Sequence, residues 1–159
     1  MAYPYSKRVM ELFRHPKGCR KMENPDAVGQ AGSMLCGDIM KVYLKIGKKK
    51  DGLFIKDISF QSFGCVANIS SSSQTVEMAK GKTLEDAIKI KSMDVVKKLG
   101  SLPSIKVHCS VLAVDALREA IYKYLKKKGR PIPKEVLESH KRVQKELKEV
   151  EHMREKVLK

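Results

Sequence analysis

Tryptophan is absent from this 159-residue chain, and aromatic residues make up only 6% of it. Stacking platforms of the kind that hold single-stranded nucleic acid therefore have little to be built from. Any core has to be filled by aliphatics and by the eight methionines. Cysteine is sparse too: four residues, Cys19, Cys36, Cys65 and Cys109, with no Cys-x-x-Cys pair among them. No apolar run approaches the roughly 20 residues that span a bilayer. Met1 to Arg8 leads into a charged segment and not into the apolar stretch of a secretory signal. The expectation is a cytoplasmic protein with no membrane partner and with reduced thiols. Reduced thiols at loops and helix starts are ligands or nucleophiles more often than bridges.

Acidic residues are the other shortage. Eighteen Asp and Glu stand against 33 Lys and Arg, for a formal net charge of +15. Residues 131–159 hold eight Lys and Arg and six Glu, so only +2 of that charge lies in the tail. The remainder belongs to residues 1–130, whose field attracts acidic partners without choosing among them. No nucleic-acid reader motif accompanies the charge, and nucleic acid is not expected as a partner. The 42% hydrophobic content suits one domain with a real core.

Hydrophobic periodicity sets out the elements. Residues 5–14 read as a short surface helix ended by His15-Pro16. Residues 15–35, rich in Gly, Pro and Asn, read as a long, loosely structured loop that contains Cys19. Met40, Val42, Leu44 and Ile46 alternate with Lys41, Tyr43 and Lys45 in a half-buried strand. Gly47 to Gly52 reads as a hairpin connection, and a second strand over about 53–62 turns Ile58 and Phe60 inward. Gly64 is expected to allow a sharp change of direction before Cys65. Ser70 to Ser73 read as a helix start with capping hydroxyls. Thr83-Leu84-Glu85-Asp86 fits a capping box, and Ser92 caps a further helix that ends at Gly100.

The stretch that organises the chain is Lys106-Val107-His108-Cys109, where a loop runs into a long amphipathic helix. That helix buries Val114, Leu117, Ile121 and Tyr124, with Asp115, Arg118, Glu119 and Lys123 facing water. A thiol at a helix N-terminus beside Lys106 favours its thiolate form, so Cys109 is expected to be the most reactive thiol. Gly129 to Pro133 reads as a linker between a domain of residues 1–129 and a C-terminal helix in 130–159. Val136, Val143, Val150 and Val157 recur there every seven residues, a thin heptad seam because His140 and Arg154 occupy partner positions. The tail carries no Cys and is expected to be dispensable for the chemistry.

Three thiols, an imidazole and a carboxylate remain as candidates: Cys36, Cys65, Cys109, His108 and Asp38. Soft thiolates suit zinc and iron–sulfur clusters. Spacing alone argues little for a shared site, but each thiol lies at a boundary between elements, where distant segments can converge. A cysteine hydrolase built on Cys109 and His108 lacks any third group to orient the base.

These residues carry a resemblance. Ala31-Gly32 through Cys36-Gly37-Asp38, Phe63-Gly64-Cys65 with the serine run, Lys80-Gly81-Lys82-Thr83-Leu84, Ala87-Ile88-Lys89-Ile90, and Leu102-Pro103 through Lys106-Val107-His108-Cys109-Ser110 stand in the order and spacing of the IscU family of iron–sulfur cluster scaffolds, equivalent to the N-terminal domain of NifU. The chain resembles that family over roughly residues 3–128. The resemblance implies an α+β fold, a small antiparallel sheet of about three strands with helices packed on one side, here followed by an extra C-terminal helix. It implies a scaffold and sulfur acceptor, not an enzyme, on which a 2Fe–2S cluster is assembled from iron and sulfur and passed to apo-protein recipients. Cys36, Cys65 and Cys109 would be thiolate ligands, with His108 or Asp38 in the fourth position. Cys109 would accept persulfide sulfur from a pyridoxal-phosphate cysteine desulfurase of the IscS/NifS type. Zinc can take the same ligands in the cluster-free form, and a zinc-binding sulfur acceptor of the SufU type is the alternative. That branch usually lacks the His, so His108-Cys109 favours the IscU type. A homo-oligomer is compatible with the resemblance.

The chain also departs from the family. Leu102-Pro103-Ser104-Ile105-Lys106 replaces the usual Leu-Pro-Pro-Val-Lys read by a specialised Hsp70, so the resemblance does not extend to that chaperone. Val66 and Asn68 are bulkier than the usual small residues after the second cysteine.

Overall fold

A computed structural model describes residues 5–33 and 37–159; Cys36 lies outside them. The chain runs α1 (Lys7–Arg14), β1 (Ala27–Gly32), β2 (Ile39–Lys49), β3 (Gly52–Phe63), α2 (Val66–Ala79), α3 (Leu84–Ile88), α4 (Ser92–Leu99), a 3-10 turn (Ser104–Lys106), α5 (His108–Lys127) and α6 (Lys134–Leu158). The fold is α+β, as expected. An antiparallel sheet in the order β1-β2-β3 pairs Ile39 with both Gly32 and Phe63 at one end. The β2–β3 turn is only Lys50-Asp51, shorter than the expected connection, because Gly47 to Lys49 stay paired in the ladder.

Met40, Val42, Leu44, Ile58 and Phe60 are buried as expected, but Ile46, at the register shift with β3, is only half-buried, and Tyr43, expected on the open face, is buried too. Phe60 is the one aromatic among the largest fully buried side chains of the described residues, in line with the aliphatic composition. Helix α2 packs along β3, and α5 packs along β1, β2 and α2. At Gly29 the approach is backbone to backbone. A Cβ there would lie 2.3 Å from the carbonyl oxygen of Ala116 and from the nitrogen of Ala120. The small residues of α5 are thus the contact surface for a glycine strand.

Several expectations are corrected. Residues 15–35 are not loop throughout, since β1 occupies Ala27–Gly32. Its Ala-Val-Gly-Gln-Ala-Gly sequence has little strand propensity; pairing with β2 and cover by α5 make it a strand. The serine run does not start a helix. Ser70, Ser71, Ser72 and Ser73 lie inside α2 and are buried. Three of their hydroxyls find carbonyls: Ser70 donates to Val9 O at 2.7 Å, Ser72 to Asn68 O at 2.8 Å and Ser73 to Lys17 O at 3.4 Å, while Ser71 Oγ has no partner among the described residues. Small side chains there let α1 and α5 pack closely on α2. Thr83 does cap α3, accepting from the Asp86 nitrogen at 3.2 Å. In α4 the cap position is Lys91, one residue before Ser92, and its nitrogen donates to the Asp94 carboxylate at 3.0 Å.

The polar side of α5 is not wholly wetted either. Asp115 and Glu119 are buried because α6 folds back over α5 and β1. Arg142 grips Asp115 through Nη2 to Oδ1 at 2.6 Å and Nε to Oδ2 at 3.2 Å. His140 Nδ1 lies 2.8 Å from Glu119 Oε2, with its ring stacked on Tyr122. Val136, Val143 and Val150 fill the seam against the chain's own body, while Val157 stays exposed. Among the described residues no helix is long and apolar enough to cross a membrane.

Candidate metal centre

The end of the sheet where Ile39 meets Gly32 and Phe63 gathers the chemistry. Asp38 immediately precedes β2, after Gly37 at φ +68°, a left-handed conformation that suits glycine. Ser33 and Asp38 close this corner through Ser33 N–H donating to Asp38 O at 3.0 Å. Cys65 is the residue before α2, with extended backbone. Cys109 lies in the first turn of α5. The 3-10 turn Ser104–Lys106 runs into that helix and already occupies part of its N-terminal end.

One ligand atom each of Asp38, Cys65 and Cys109 lies within 4.8 Å of the other two. The two sulfurs are 3.8 Å apart. His108 stands at the rim, half-buried, with Nε2 3.7 Å from Cys109 Sγ. Of the two candidates for a fourth ligand, Asp38 is thus inside the tight group and His108 beside it. Cys36, expected as the third thiolate, falls outside the described residues. Cys19 is exposed and is not part of the group. Two soft sulfurs and one hard oxygen at this separation can share a metal ion or the edge of a small cluster.

Burial changes the reactivity expected of Cys109. Its side chain is 0% exposed, whereas Cys65 is half-buried and Cys19 open to water. A helix start activates a thiol electrostatically, but a reagent must still reach it. Apolar side chains close to the thiols in sequence are open to water: Phe63, two residues before Cys65, is 88% exposed, and Ile105, four before Cys109, 76%.

Two parts of the site were not foreseen. The first comes from α6, which the sequence places outside the chemistry. Glu146 and Glu149 line a cavity of about 260 Å³ with Ser33, His108, Val111, Leu112 and Asp115. Burial pushes the Asp115 carboxyl above its ordinary range against the pull of Arg142, and burial and Asp115 together raise Glu146. The glutamates sit between the valines of the heptad seam, and that spacing was their only signal. The second is Asn68, fully buried in the first turn of α2. Its Nδ2 donates to Asp38 Oδ2 at 3.0 Å, and its Oδ1 accepts from Ser62 Oγ at 2.7 Å. The signal was its size in a run of small residues.

Known proteins are similar to this chain. The family described as NifU-like N terminal domain matches residues 4–131. The iron-sulfur cluster assembly scaffold protein IscU 1 of Archaeoglobus fulgidus is 48% identical over 126 residues, covering 79% of this chain and 80% of its own. The scaffold protein IscU of Aquifex aeolicus is 37% identical over 130 residues, covering 82% of each chain. Among solved structures, a NifU-like N-terminal protein from Brucella abortus superposes with a TM-score of 0.60 at 24% identity, over 77% of this chain and 94% of that one, a likeness of fold.

Proposed function

Because this chain belongs to the family of the NifU-like N terminal domain, we propose that it is an iron–sulfur cluster assembly scaffold whose cargo is a 2Fe–2S cluster built on Cys36, Cys65 and Cys109. The observation that carries the reading is the convergence of Asp38, Cys65 and Cys109, from three separate elements, within 4.8 Å. Thiolates supply the strong ligation. Asp38 supplies a hard oxygen that fits iron but is a poor match for a cluster held by sulfur. A scaffold has to give its cargo away, and a weak ligand at the fourth position serves release. His108 at the rim is placed to meet the cargo from the solvent side.

Sulfur comes from a cysteine desulfurase as a persulfide. The incoming sulfane sulfur meets half-buried Cys65 first. The thiolate of Cys65 attacks that sulfur, and the donor cysteine leaves as its thiolate. Cys109, the acceptor that the family resemblance names, lies 3.8 Å away and takes the sulfur from Cys65 in the same way, regenerating the Cys65 thiolate; release of that sulfur as cluster sulfide takes two electrons from an external reductant, a thiol or an electron-transfer protein. The excess basic charge of residues 1–130 steers acidic protein surfaces toward the scaffold, and apo-protein recipients take the finished cluster. Residues 1–129 form the scaffold unit in this reading, and 130–159 a linker and covering helix.

Anaerobic reconstitution with iron and sulfide tests the proposal. About two iron and two acid-labile sulfide per site, with a coloured thiolate-ligated product, are expected. Uptake of zinc alone, with no inorganic sulfide retained, overturns it in favour of a zinc site in a sulfur acceptor.

A further inference from the structure

Asn68 stands where a small side chain would be expected, and its surroundings are built around it. The side chain is 0% exposed, so its amide has to find partners inside the protein. Its orientation is fixed by those partners. A carboxylate only accepts, so Nδ2 faces Asp38 Oδ2 at 3.0 Å. A hydroxyl is free to donate, so Oδ1 faces Ser62 Oγ at 2.7 Å. The reverse orientation would set the amide oxygen against the carboxylate. Ser62 belongs to β3 and sits opposite Met40 of β2, so Asn68 is anchored to the sheet. Gly64 makes the room. A Cβ there would lie 2.6 Å from both Cγ and Nδ2 of Asn68. The chain does change direction here, from β3 into α2, but the φ of Gly64 is not in the positive region that favours glycine, so it is the space and not the turn that calls for glycine.

We propose that Asn68 is a positioning residue, holding the Asp38 carboxylate beside the thiols and thereby setting how fast an assembled cluster leaves. The proposal rests on the scaffold reading and goes beyond it. One oxygen of Asp38 is tied to Asn68, so the carboxylate cannot swing out into water, and the other oxygen remains as the free ligand. Without Asn68 the carboxylate turns to solvent, and the site loses its weak oxygen ligand while keeping its sulfurs. Asn68→Ala is thus a partial copy of Asp38→Ala.

The experiment is a cycle of four proteins: wild type, Asn68→Ala, Asp38→Ala and the double variant. Each is loaded anaerobically, and cluster transfer to an apo-ferredoxin is timed. Asn68→Ala is expected to slow transfer about tenfold, the low end of the scale for losing one hydrogen bond to a charged group. Asp38→Ala is expected to slow it at least as much, and the double variant to match Asp38→Ala alone. The same cycle is run on metal-free protein with Co2+. Asn68→Ala should weaken Co2+ binding about tenfold when Asp38 is present and leave it unchanged when Asp38 is alanine. Ser62→Ala removes the shorter of the two hydroxyl contacts on Asn68 Oδ1, leaving Ser72 Oγ at 3.4 Å, without touching Asp38. It should shift both readouts in the same direction by less, and it serves if Asn68→Ala does not fold. Wild-type transfer by Asn68→Ala, or an equal slowing with and without Asp38, overturns the proposal, because a purely structural loss is indifferent to residue 38. If wild type retains no inorganic sulfide, the scaffold reading fails, and the Co2+ cycle still decides whether Asn68 acts through Asp38.

Discussion

Replacing Gly29 by alanine tests how tightly the metal centre is tied to the fold. The new methyl carbon would stand 2.3 Å from two backbone atoms of α5 and 2.8 Å from Ala120 Cα. Backbone cannot turn aside as a long side chain can, so α5 has to retreat from β1 by about 1 Å to restore ordinary contact. Overpacking of this kind costs about 1–3 kcal/mol, and backbone-to-backbone contact argues for the upper half of that range. In a domain of this size each kcal/mol lowers Tm by about 2–4 °C, so a fall of roughly 4–12 °C is expected. The retreat also reaches the site. Cys109 lies seven residues before Ala116, about 10 Å along the same helix, while Cys65 stays with α2. Metal ligands tolerate only about 0.2 Å of error, so Co2+ binding should weaken together with the melting temperature. Both are read on one preparation, by thermal denaturation and by Co2+ titration. A variant that melts within about 1 °C of wild type would refute the contact argument, and a lower Tm with unchanged Co2+ affinity would refute the coupling of α5 to the site.

Other outcomes follow from burial and charge. Timed alkylation of the metal-free protein, read by mass spectrometry, should modify Cys19 and Cys65 well before buried Cys109; early modification of Cys109 would mean that the Ser104–Lys106 turn opens readily. Truncation after Gly129 strips α6 from Asp115, Glu119 and the apolar seam, and should lower Tm while leaving cluster uptake intact in the fraction that stays folded; loss of uptake without unfolding would show that Glu146 and Glu149 serve the site directly. Burial raises Asp115 above its ordinary value, so the folded state binds its proton more tightly than the unfolded state does. The Asp115 contribution to stability therefore grows as pH falls through the raised folded value toward 3.8. Urea midpoints of wild type should gain on those of Asp115→Asn over that fall, and a gap that narrows instead would mean that Arg142 outweighs burial.

The legible part of the fold was whatever a period of two or a cap could encode. β2 and β3 carry alternating apolar residues, and Thr83 caps α3 as its spacing predicts. The family motifs led to Asp38, Cys65, His108 and Cys109, and the structure brings all four to one end of the sheet. The misreadings share one physical cause. A hydrophobic pattern reports a single buried face, and several segments here are covered on more than one side. The serines of α2 looked like caps because hydroxyls usually mark helix ends; packed between α1, α5 and β3, they are buried as small side chains, and the hydroxyls of Ser70, Ser72 and Ser73 bond back into the chain. Asp115 and Glu119 looked wet until α6 brought Arg142 and His140 to cover them.

The same cause hid Asn68. A buried polar residue is costly unless every partner is in place, and its closest side-chain partners lie on Asp38 and Ser62, thirty and six residues away, with Ser72 Oγ farther off at 3.4 Å. Local sequence can show that such a residue is out of place in a small-residue run. It cannot show that Gly64 clears the space, or that the sheet pairing of Met40 with Ser62 delivers the hydroxyl. Removing the asparagine while keeping its surroundings would leave a carboxylate and a hydroxyl without the group they were arranged to meet. That dependence makes Asn68 the point at which the packing of the fold and the chemistry of the centre become one question.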